Sequence, residues 1–482
     1  MKSDQTKGIN AKYIVAFNEN NHCILEDGVI IIQGDEIIFV GQAYEGNVDS
    51  WVDARNRIVT PGFINTHVHM DGSPLSKSFI EDVANPQFYM SNLFDTLTQA
   101  LSYSSEESVS ASATLSLWEL IRSGVTTVTI PGTGRPRLIS EIIHSVGLRG
   151  FVAPSIYSGP WLTEDGSSTV FKPQPGEGFD LLEKAADFGA VCTEKYDGRI
   201  TPLLGPEWIG GCTPELLKEV RRTAEQTGMR VQIHASESIV EFQEVLRRYG
   251  MTPIRFLESV DLLGDDLIIG HCIFISGHSR TAYPGDDDLM LLSRYNVSVA
   301  HCPWVFARIG YMMESFEKYR RAGVNMSIGT DTCPQNMLQE MRYALILGKI
   351  SAKNPLTTTA AHIFDAATLG GARALGRDDL GRICPGAKAD LVFFDLDSPQ
   401  MTPMRDPIRN IIYCTDSSDI AEVMVGGVMV LSDGKIQGID EGTACNNLQQ
   451  CAEDMWETVK DRDWNGRSAN ELSPFSYPSW KK

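Results

Sequence analysis

The region between residues 61 and 331 alternates apolar, strand-like runs with helix-like stretches, and this alternation restricts the possible folds most strongly. It is typical of parallel strands joined by crossover helices. The last four strand-like runs end about 30 residues apart, which is the length of one β–α unit. Eight such units predict an α/β fold of the (β/α)8 TIM-barrel type. The predicted strands end near His69, Pro131, Ser155, Gly205, His234, His271, Cys302 and Asp331.

Short β-rich runs lie on both sides of this region, at residues 11–60 and 386–436. Turn-forming pairs such as Asp27-Gly28 separate the runs, as they do in hairpins. Neither region alone has enough strands for a stable sheet, so we expect both chain ends to pair into one small composite β-sandwich. The predicted domains are residues 1–60 plus 381–440 for the sandwich, 61–380 for the barrel and 441–482 for a C-terminal tail.

Two connections in the predicted barrel are too long to be plain loops. One runs from Asp71 to Ser104 after the first strand, and the other from Tyr157 to Gly198 after the third. Both leave the C-terminal ends of their strands, which is where TIM barrels carry their active sites. We therefore expect both connections to shape a substrate pocket.

The charge balance limits the possible partners. The chain has 42 basic and 62 acidic residues, which gives a formal net charge of −20. Such a surface repels nucleic acid backbones and anionic lipids, so we expect neither as a partner. No stretch resembles a targeting segment or approaches the roughly 18 apolar residues of a membrane span. Together with ten cysteines that lack regular spacing, these features predict a cytoplasmic protein with free thiols.

Titratable side chains end five of the predicted strands. A single histidine at a strand end usually serves packing, but five such ends together favour a metal site. Imidazole and carboxylate are ligands that borderline divalent metals prefer, and one coordination position would stay open for water. The strand-end residues are His67 and His69, which point to the same side of an extended chain, and His234, His271, His301 and Asp331. The remaining histidines, His22, His144, His278 and His362, are expected to be packing or surface residues.

Six segments of the chain share their residues with one known superfamily. They are Pro61-Gly62-Phe63-Ile64-Asn65-Thr66-His67-Val68-His69, His234-Ala235-Ser236-Glu237, Gly270-His271-Cys272, Ala300-His301-Cys302-Pro303, Gly329-Thr330-Asp331 and Gly381-Arg382-Ile383-Cys384-Pro385-Gly386-Ala387-Lys388-Ala389-Asp390. Over roughly residues 11–436 the sequence resembles the amidohydrolase superfamily, in its mononuclear, deaminase-like branch. The most similar patterns are those of triazine hydrolases, methylthioadenosine/adenosylhomocysteine deaminases and guanine deaminases.

The resemblance implies a role for each strand-end group. Glu237 would be the proton shuttle, and His271 would be the partner of the metal-bound water. Asp331 would act twice, as a ligand and as the acceptor of the water's proton. The implied metal ligands are His67, His69, His234 and Asp331.

The absence of a lysine at the end of the fourth strand predicts the number of metal ions. Binuclear members of the superfamily carry a carboxylated lysine at the end of the fourth strand, but residues 200–208 contain none and Lys195 lies before that strand. We therefore predict one divalent ion, with zinc preferred over iron(II), although the ligand set suits either. The resemblance also implies a homodimer or a higher homo-oligomer.

Two positions depart from the pattern of the purine deaminases. Glu207 stands where those enzymes carry a histidine, and Trp304-Val305-Phe306 follows Pro303 where many relatives have a Ser-Asn pair. Glu207 would bind an amino or ring N–H group of a substrate. Trp208 and Trp304 either stack on a flat ring or pack in the pocket wall. His301 either orients the substrate or supports a ligand.

Together these features predict a metal-dependent hydrolase that cleaves a non-peptide C–N bond of a small amino-substituted heterocyclic or aromatic compound. A metal-bound hydroxide would be the attacking group. The same apparatus could instead cleave an amide, urea or carbamate, or remove a halide from a ring. A non-catalytic barrel scaffold is disfavoured because every implied ligand is present. The unrelated zinc deaminase fold is disfavoured because no Pro-Cys-x-x-Cys segment occurs.

Overall fold

The computed structural model of the protein describes residues 5–97 and 105–480. The outer ends of the predicted terminal domains, and residues 98–104 of the first long connection, lie outside these ranges. In chain order the strands are β1 (Thr6–Asn18), β2 (Asn21–Gln33), β3 (Glu36–Gly41), β4 (Ser50–Pro61), β5 (Phe63–Asn65), β6 (Val125–Thr133), β7 (Arg149–Ile156), β8 (Trp161–Thr163), β9 (Thr169–Phe171), β10 (Ile200–Pro202), β11 (Gly205–Pro206), β12 (Val231–Ala235), β13 (Leu267–His271), β14 (Ser298–His301), β15 (Asn325–Ile328), β16 (Leu391–Asp395), β17 (Ile420–Val425), β18 (Val428–Ser432) and β19 (Lys435–Ile436).

Helices separate the strands of the central region. Within the described residues the α-helices are α1 (Glu106–Arg122), α2 (Pro136–Ser145), α3 (Glu177–Lys195), α4 (Pro214–Thr227), α5 (Ile239–Tyr249), α6 (Pro253–Ser259), α7 (Asp287–Arg294), α8 (Pro303–Ala307), α9 (Phe316–Ala322), α10 (Met337–Ala352), α11 (Ala360–Asp365), α12 (Gly371–Ala374), α13 (Pro407–Cys414), α14 (Glu441–Thr458) and α15 (Ala469–Leu472). Each of these helices is too short or too polar to traverse a lipid bilayer.

Parallel strands close into a barrel in the centre of the molecule. The orders β10-β7-β6-β5 and β12-β13-β14-β15 form its two halves. A bridge between Leu204 and Val231 joins the halves on one side. On the other side, the backbone N–H of Thr66 donates to the carbonyl of Ile328 at 3.0 Å. The predicted α/β barrel is confirmed.

The first barrel strand ends earlier than predicted. β5 stops at Asn65, and the next residues leave its regular ladder. The N–H of Val68 donates to the carbonyl of Thr129, whereas the N–H of His69 donates to the carbonyl of Asp331. Because the chain here is bonded to both neighbouring strands in turn, His67 and His69 lie just beyond the strand.

Both chain ends contribute to one eight-stranded sheet beside the barrel. Its order is β19-β18-β17-β16-β4-β1-β2-β3, so strands from the two ends meet where β4 pairs with β16. A buried ion pair fastens this sheet to the barrel. Nε and Nη2 of Arg149 donate to the carboxylate of Asp390 at 2.7 and 3.0 Å.

The C-terminal segment, defined here as residues 441–480, is mostly helical. The apolar face of α14, with Leu448 and Met455, packs on Ala111 and Leu115 of α1. Further along, Val459 contacts the apolar cluster beneath the first long connection. The segment therefore packs on the body of the same chain.

Candidate metal centre

Four barrel strands, β5, β12, β13 and β15, bring side chains at or just beyond their C-terminal ends to one point. The ring of His67 lies 4.7 Å from the ring of His234 and 4.8 Å from that of His271, measured between centroids. Two glycines allow the imidazole rings to pack this closely. A Cβ atom at Gly270 would lie 2.7 Å from the His67 ring, and one at Gly329 would lie 2.6 Å from the His67 Cβ. The glycines before His271 and Thr330 therefore leave room for the imidazole.

The donor atoms of the four predicted ligands have the spacing of a metal site. Nε2 of His69 lies 3.0 Å from Nε2 of His234. Oδ1 of Asp331 lies 3.6 Å from Nε2 of His67 and 3.5 Å from Nε2 of His69. Ligands at roughly 2.1 Å from one zinc ion in tetrahedral geometry would lie about 3.4 Å apart. Nε2 of His67 is also fully buried and has no hydrogen-bond partner, as expected of an atom that serves as a metal ligand.

Neighbouring backbone and side-chain groups orient the imidazoles. Nδ1 of His234 donates to the backbone carbonyl of Glu207. Because Nδ1 carries the proton, Nε2 keeps a free lone pair toward the cluster. The side-chain amide of Gln232, two residues earlier on β12, lies 3.2 Å from Nδ1 of His67 and donates to the carbonyl of Thr66 at 2.7 Å.

Asp331 is held in an unusual backbone conformation. Its φ of +57° is left-handed, which non-glycine residues rarely adopt and which often marks functional sites. Its N–H donates to the carbonyl of His67, and its carbonyl accepts from the N–H of His69. Asn65 strengthens this connection, since its side-chain amide donates to Oγ1 of Thr330 at 2.7 Å.

Burial and mutual charge set opposite protonation states in the cluster. Burial opposes ionisation of Asp331, but its interactions with the nearby imidazoles of His67, His271 and His69 outweigh burial and hold its pKa well below the usual range. Burial lowers the pKa of His271 to about 3, against the charge of Asp331. Neutral imidazoles beside an ionised carboxylate are the forms that ligate metals.

Glu237 reaches the same opening from the turn after β12. Its Oε1 lies 3.9 Å from Nε2 of His271. Burial raises the pKa of Glu237 well above its usual range, and the carboxylates of Asp331 and Glu241 raise it further. Glu241 holds the turn, because its Oε1 accepts the N–H of Ser236 at 2.5 Å. Burial therefore favours the protonated form of the Glu237 carboxyl group beside the cluster.

A cavity of about 510 Å³ opens onto these groups. Its wall includes His69, His234, Glu237, His271 and Asp331. Two predicted substrate residues, Glu207 and Trp208, also line it. Burial raises the pKa of Glu207, although a hydrogen bond with Ser155 and the charge of His69 oppose this. The ring of Trp208 is parallel to that of Phe94, with 5.7 Å between centroids, so one face packs on protein.

Two predicted substrate residues lie elsewhere. Trp304 is not among the cavity-lining residues, since its indole packs on Tyr343 with 4.8 Å between centroids. It is the second residue of α8, whose turn directs Val305 and Phe306 to the cavity instead. His301 lines a separate small void beside Phe306 and Phe316. Neither residue is brought to the substrate cavity.

Lys195 has no access to the metal ligands. Its ammonium forms an ion pair with Glu141 between α3 and α2, and half of its side chain is exposed to solvent. Among the described residues, potential metal-binding groups of three or more ligands include His67 each time. The geometry therefore provides one centre.

Sequence reasoning missed three supporting residues. They are Asn65, Gln232 and Glu241, all buried and polar. Asn65 and Gln232 stand two residues before His67 and His234, respectively, and i, i+2 spacing places them on the ligand-bearing face. The i, i+2 spacing could have identified Asn65 and Gln232, whereas the role of Glu241 is visible only when the turn after β12 is known.

Comparison with known proteins places the chain in a family. Residues 58–430 match the profile of the amidohydrolase family. The chain belongs to the amidohydrolase family. It is therefore a metal-dependent hydrolase that acts on carbon–nitrogen bonds other than peptide bonds, and its His/Asp cluster has the donor groups to hold a divalent metal.

Curated relatives of this amidohydrolase include two kinds of deaminase. A 5'-deoxyadenosine deaminase from Methanopyrus kandleri is 29% identical over 90% of this chain and 96% of its own length. A 5-methylthioadenosine/S-adenosylhomocysteine deaminase from Syntrophomonas wolfei is 28% identical over 88% of this chain and 92% of its own.

Solved structures share the fold of this amidohydrolase. An adenosine deaminase from Xanthomonas campestris with bound zinc has a TM-score of 0.82 at 24% identity, over 94% of this chain and 99% of its own. An atrazine chlorohydrolase from Arthrobacter aurescens with zinc has a TM-score of 0.78 at 22% identity, over 92% of this chain and 100% of its own.

Proposed function

We propose that this amidohydrolase removes an amino group, as ammonia, from an amino-substituted heterocycle, with 5'-modified adenosines as the first class to test. One observation carries the proposal: two carboxyl groups with raised pKa values, Glu237 and Glu207, line the same cavity as the ligand cluster. One would serve the chemistry and the other would bind the ring. The names of the curated relatives support the choice of adenosines.

A single divalent ion, zinc by preference, would be held by His67, His69, His234 and Asp331. When bound, it supplies a Lewis acid that lowers the pKa of a coordinated water to about 7. The imidazoles of His69 and His234, with Nε2 atoms 3.0 Å apart, and the carboxylate of Asp331, 3.5 Å from His69, suit zinc and iron(II) alike.

The chain's own groups move the protons. Asp331, ionised in the cluster, accepts the proton of the attacking water. Glu237, whose protonated form burial favours, donates its proton to the ring nitrogen as the water oxygen bonds to the ring carbon. The proton held by Asp331 then passes to the departing amino group, the C–N bond breaks and ammonia leaves, while the new hydroxyl group returns a proton to Glu237. His271 would stay neutral and act as the partner of the attacking water, and its Nε2 lies 3.9 Å from Oε1 of Glu237.

Glu207 is proposed to select the ring. Ser155 hydrogen-bonds its side chain, and its backbone carbonyl orients His234, so the residue is fixed relative to the ligand cluster. A carboxyl in this position pairs with an amino or ring N–H group of the substrate.

We further propose that the protein is cytoplasmic and forms a homo-oligomer. Sedimentation of the purified protein at several concentrations would test the oligomeric state.

The test is a substrate panel with purified, zinc-loaded protein. It contains 5'-deoxyadenosine, methylthioadenosine, S-adenosylhomocysteine, atrazine, an anilide, a urea and a carbamate, with ammonia, amine and chloride measured separately. We expect ammonia release from at least one amino-heterocycle, abolished by a chelator. Chloride release alone, or cleavage only of the acyclic compounds, would overturn the deaminase assignment.

A further inference from the structure

The cavity wall includes a short segment that is held from outside the barrel. This wall segment, residues 85–97, contributes Ser91, Asn92 and Leu93 to the cavity. The next residue, Phe94, is fully buried between Trp161 and Trp208, with centroids at 4.8 and 5.7 Å. The position of Leu93 in the cavity is therefore coupled to whatever fixes the following turn.

Asp95 fixes that turn. It lies in the π-helical turn Leu93–Leu97 and is only 5% exposed. Its Oδ1 accepts from Nε1 of Trp464 at 2.5 Å and from Nη2 of Arg467 at 2.8 Å. Its Oδ2 accepts from Nδ2 of Asn85 at 3.1 Å. A buried carboxylate with this many donors is a strong anchor, because leaving it unpaired is costly.

The two donors from the C-terminal segment are themselves held in place. Arg467 is also paired with the fully buried side chain of Asp463, with Nη2 to Oδ1 at 2.7 Å. The indole of Trp464 lies against Gly166, where an added Cβ would come within 2.4 Å of Cζ2. Because Gly166 also accepts from Asn85, the indole fits a space enclosed by the loop that joins β8 to β9 and by the wall segment.

A second contact connects the same two parts of the chain. Phe79 and Ile80 of the first long connection pack on Val459 and Leu472 of the C-terminal segment. Ile80 is itself a cavity-lining residue. The C-terminal segment thus contacts the first long connection at two places, one apolar and one charged.

We propose that Trp464 and Arg467 are positioning residues that, through Asp95, set the wall of the substrate cavity. The inference rests on the proposed function in one respect, that this cavity holds the substrate. Both residues lie outside the range 58–430 matched by the family profile. None of the contacts described for them involves a metal ligand or Glu237, so their loss changes substrate binding rather than the chemical step.

The test compares full-length, zinc-loaded Arg467→Ala and Trp464→Phe with the natural protein. Trp464→Phe removes the indole N–H and keeps a smaller aromatic ring at this position. Arg377→Ala is the matched control, because Arg377 makes a similar two-bond pair with Asp379 and is absent from the cavity wall. Amide hydrogen exchange over residues 85–97 is measured without substrate. KM and kcat are measured with 5'-deoxyadenosine, or with the panel compound of highest activity.

For Arg467→Ala we expect faster exchange over residues 85–97 and a KM raised about tenfold, with kcat within about twofold and zinc content unchanged. Trp464→Phe should give a smaller effect in the same direction. Unchanged exchange in Arg467→Ala, or a KM shift equal to that of Arg377→Ala, would overturn the proposal. Because exchange needs no substrate, its outcome is independent of a failure of the proposed deaminase activity.

Discussion

Nε2 of His69 and Nε2 of His234 lie 3.0 Å apart, although 165 residues separate them in the chain. Nε2 of His234 bears no proton, so this distance fits either an N–H···N hydrogen bond donated by His69 or two ligands of one cation. This relationship makes the ligand cluster testable by direct measurement of bound metal.

Metal analysis of the purified protein should return about one divalent ion per chain. Among the residues that the structure describes, both potential ligand groups contain His67, and Lys195 is paired with Glu141 on the outside, so this part of the chain offers a second ion no bridging lysine. Prolonged dialysis against a chelator should abolish turnover, and added zinc or iron(II) should restore it. Two tightly held ions per chain would contradict the mononuclear assignment.

Changing Asp331 to Asn should lower kcat by about three orders of magnitude, because an amide cannot accept the water's proton. The fold should survive, since the backbone bonds of Asp331 to His67 and His69 do not involve its side chain. Asp71→Asn is the control, as Asp71 lines the cavity but is not one of the four ligands. Near-normal turnover of Asp331→Asn would refute the double role of this carboxylate.

Changing Glu207 to Gln should alter the preference among heterocycles by about tenfold in kcat/KM, while metal content stays the same. The amide has a similar shape but a different donor pattern at the cavity wall. Trp304→Phe is the matched control, because Trp304 packs on Tyr343 away from the cavity. An equal change in both variants, or none in Glu207→Gln, would remove Glu207 from substrate selection.

His22 should make the protein less stable as the pH falls. It is packed against the ring of Phe364, and burial, helped by the charge of Arg382, lowers its pKa to about 4. The unfolded chain therefore takes up a proton near pH 6.5 while the folded chain does not. Above pH 6.5 the titration of His22 does not reduce the free energy of unfolding, and by pH 4 it has lowered that free energy by about 3 kcal/mol.

The measurement for His22 compares the free energy of unfolding of metal-free protein and of His22→Gln between pH 7 and pH 4.5. Other histidines titrate in both proteins, so only the difference in slope reports on His22. The variant should show the shallower pH dependence. Parallel curves would mean that His22 titrates normally in the fold.

The barrel and the ligand cluster could be predicted because each leaves a recognisable pattern within short stretches of the sequence. A strand-like run that ends in His234 or His271 is visible without knowledge of its neighbours, and parallel topology brings such ends together. The early end of β5 could not be predicted, because it depends on hydrogen bonds from Val68 and His69 to different strands.

The remaining parts of the site depend on contacts between distant segments. Trp304 carries the same aromatic signal as Trp208, but only the turn of α8 decides that its indole faces Tyr343. The bond from Arg467 to Asp95 spans 372 residues and ends in a loop without periodic pattern. Nothing local in either stretch indicates its partner.

The meeting of β4 and β16 has a consequence for biosynthesis. One edge of β4 pairs with β1 as soon as both have left the ribosome, but its other edge is completed only by Leu391–Asp395. Translation at roughly 5–20 residues per second leaves this edge uncovered for on the order of half a minute. An unpaired apolar strand edge invites pairing with other nascent chains, so this edge is open to such contacts until β16 has been synthesised and has paired with it.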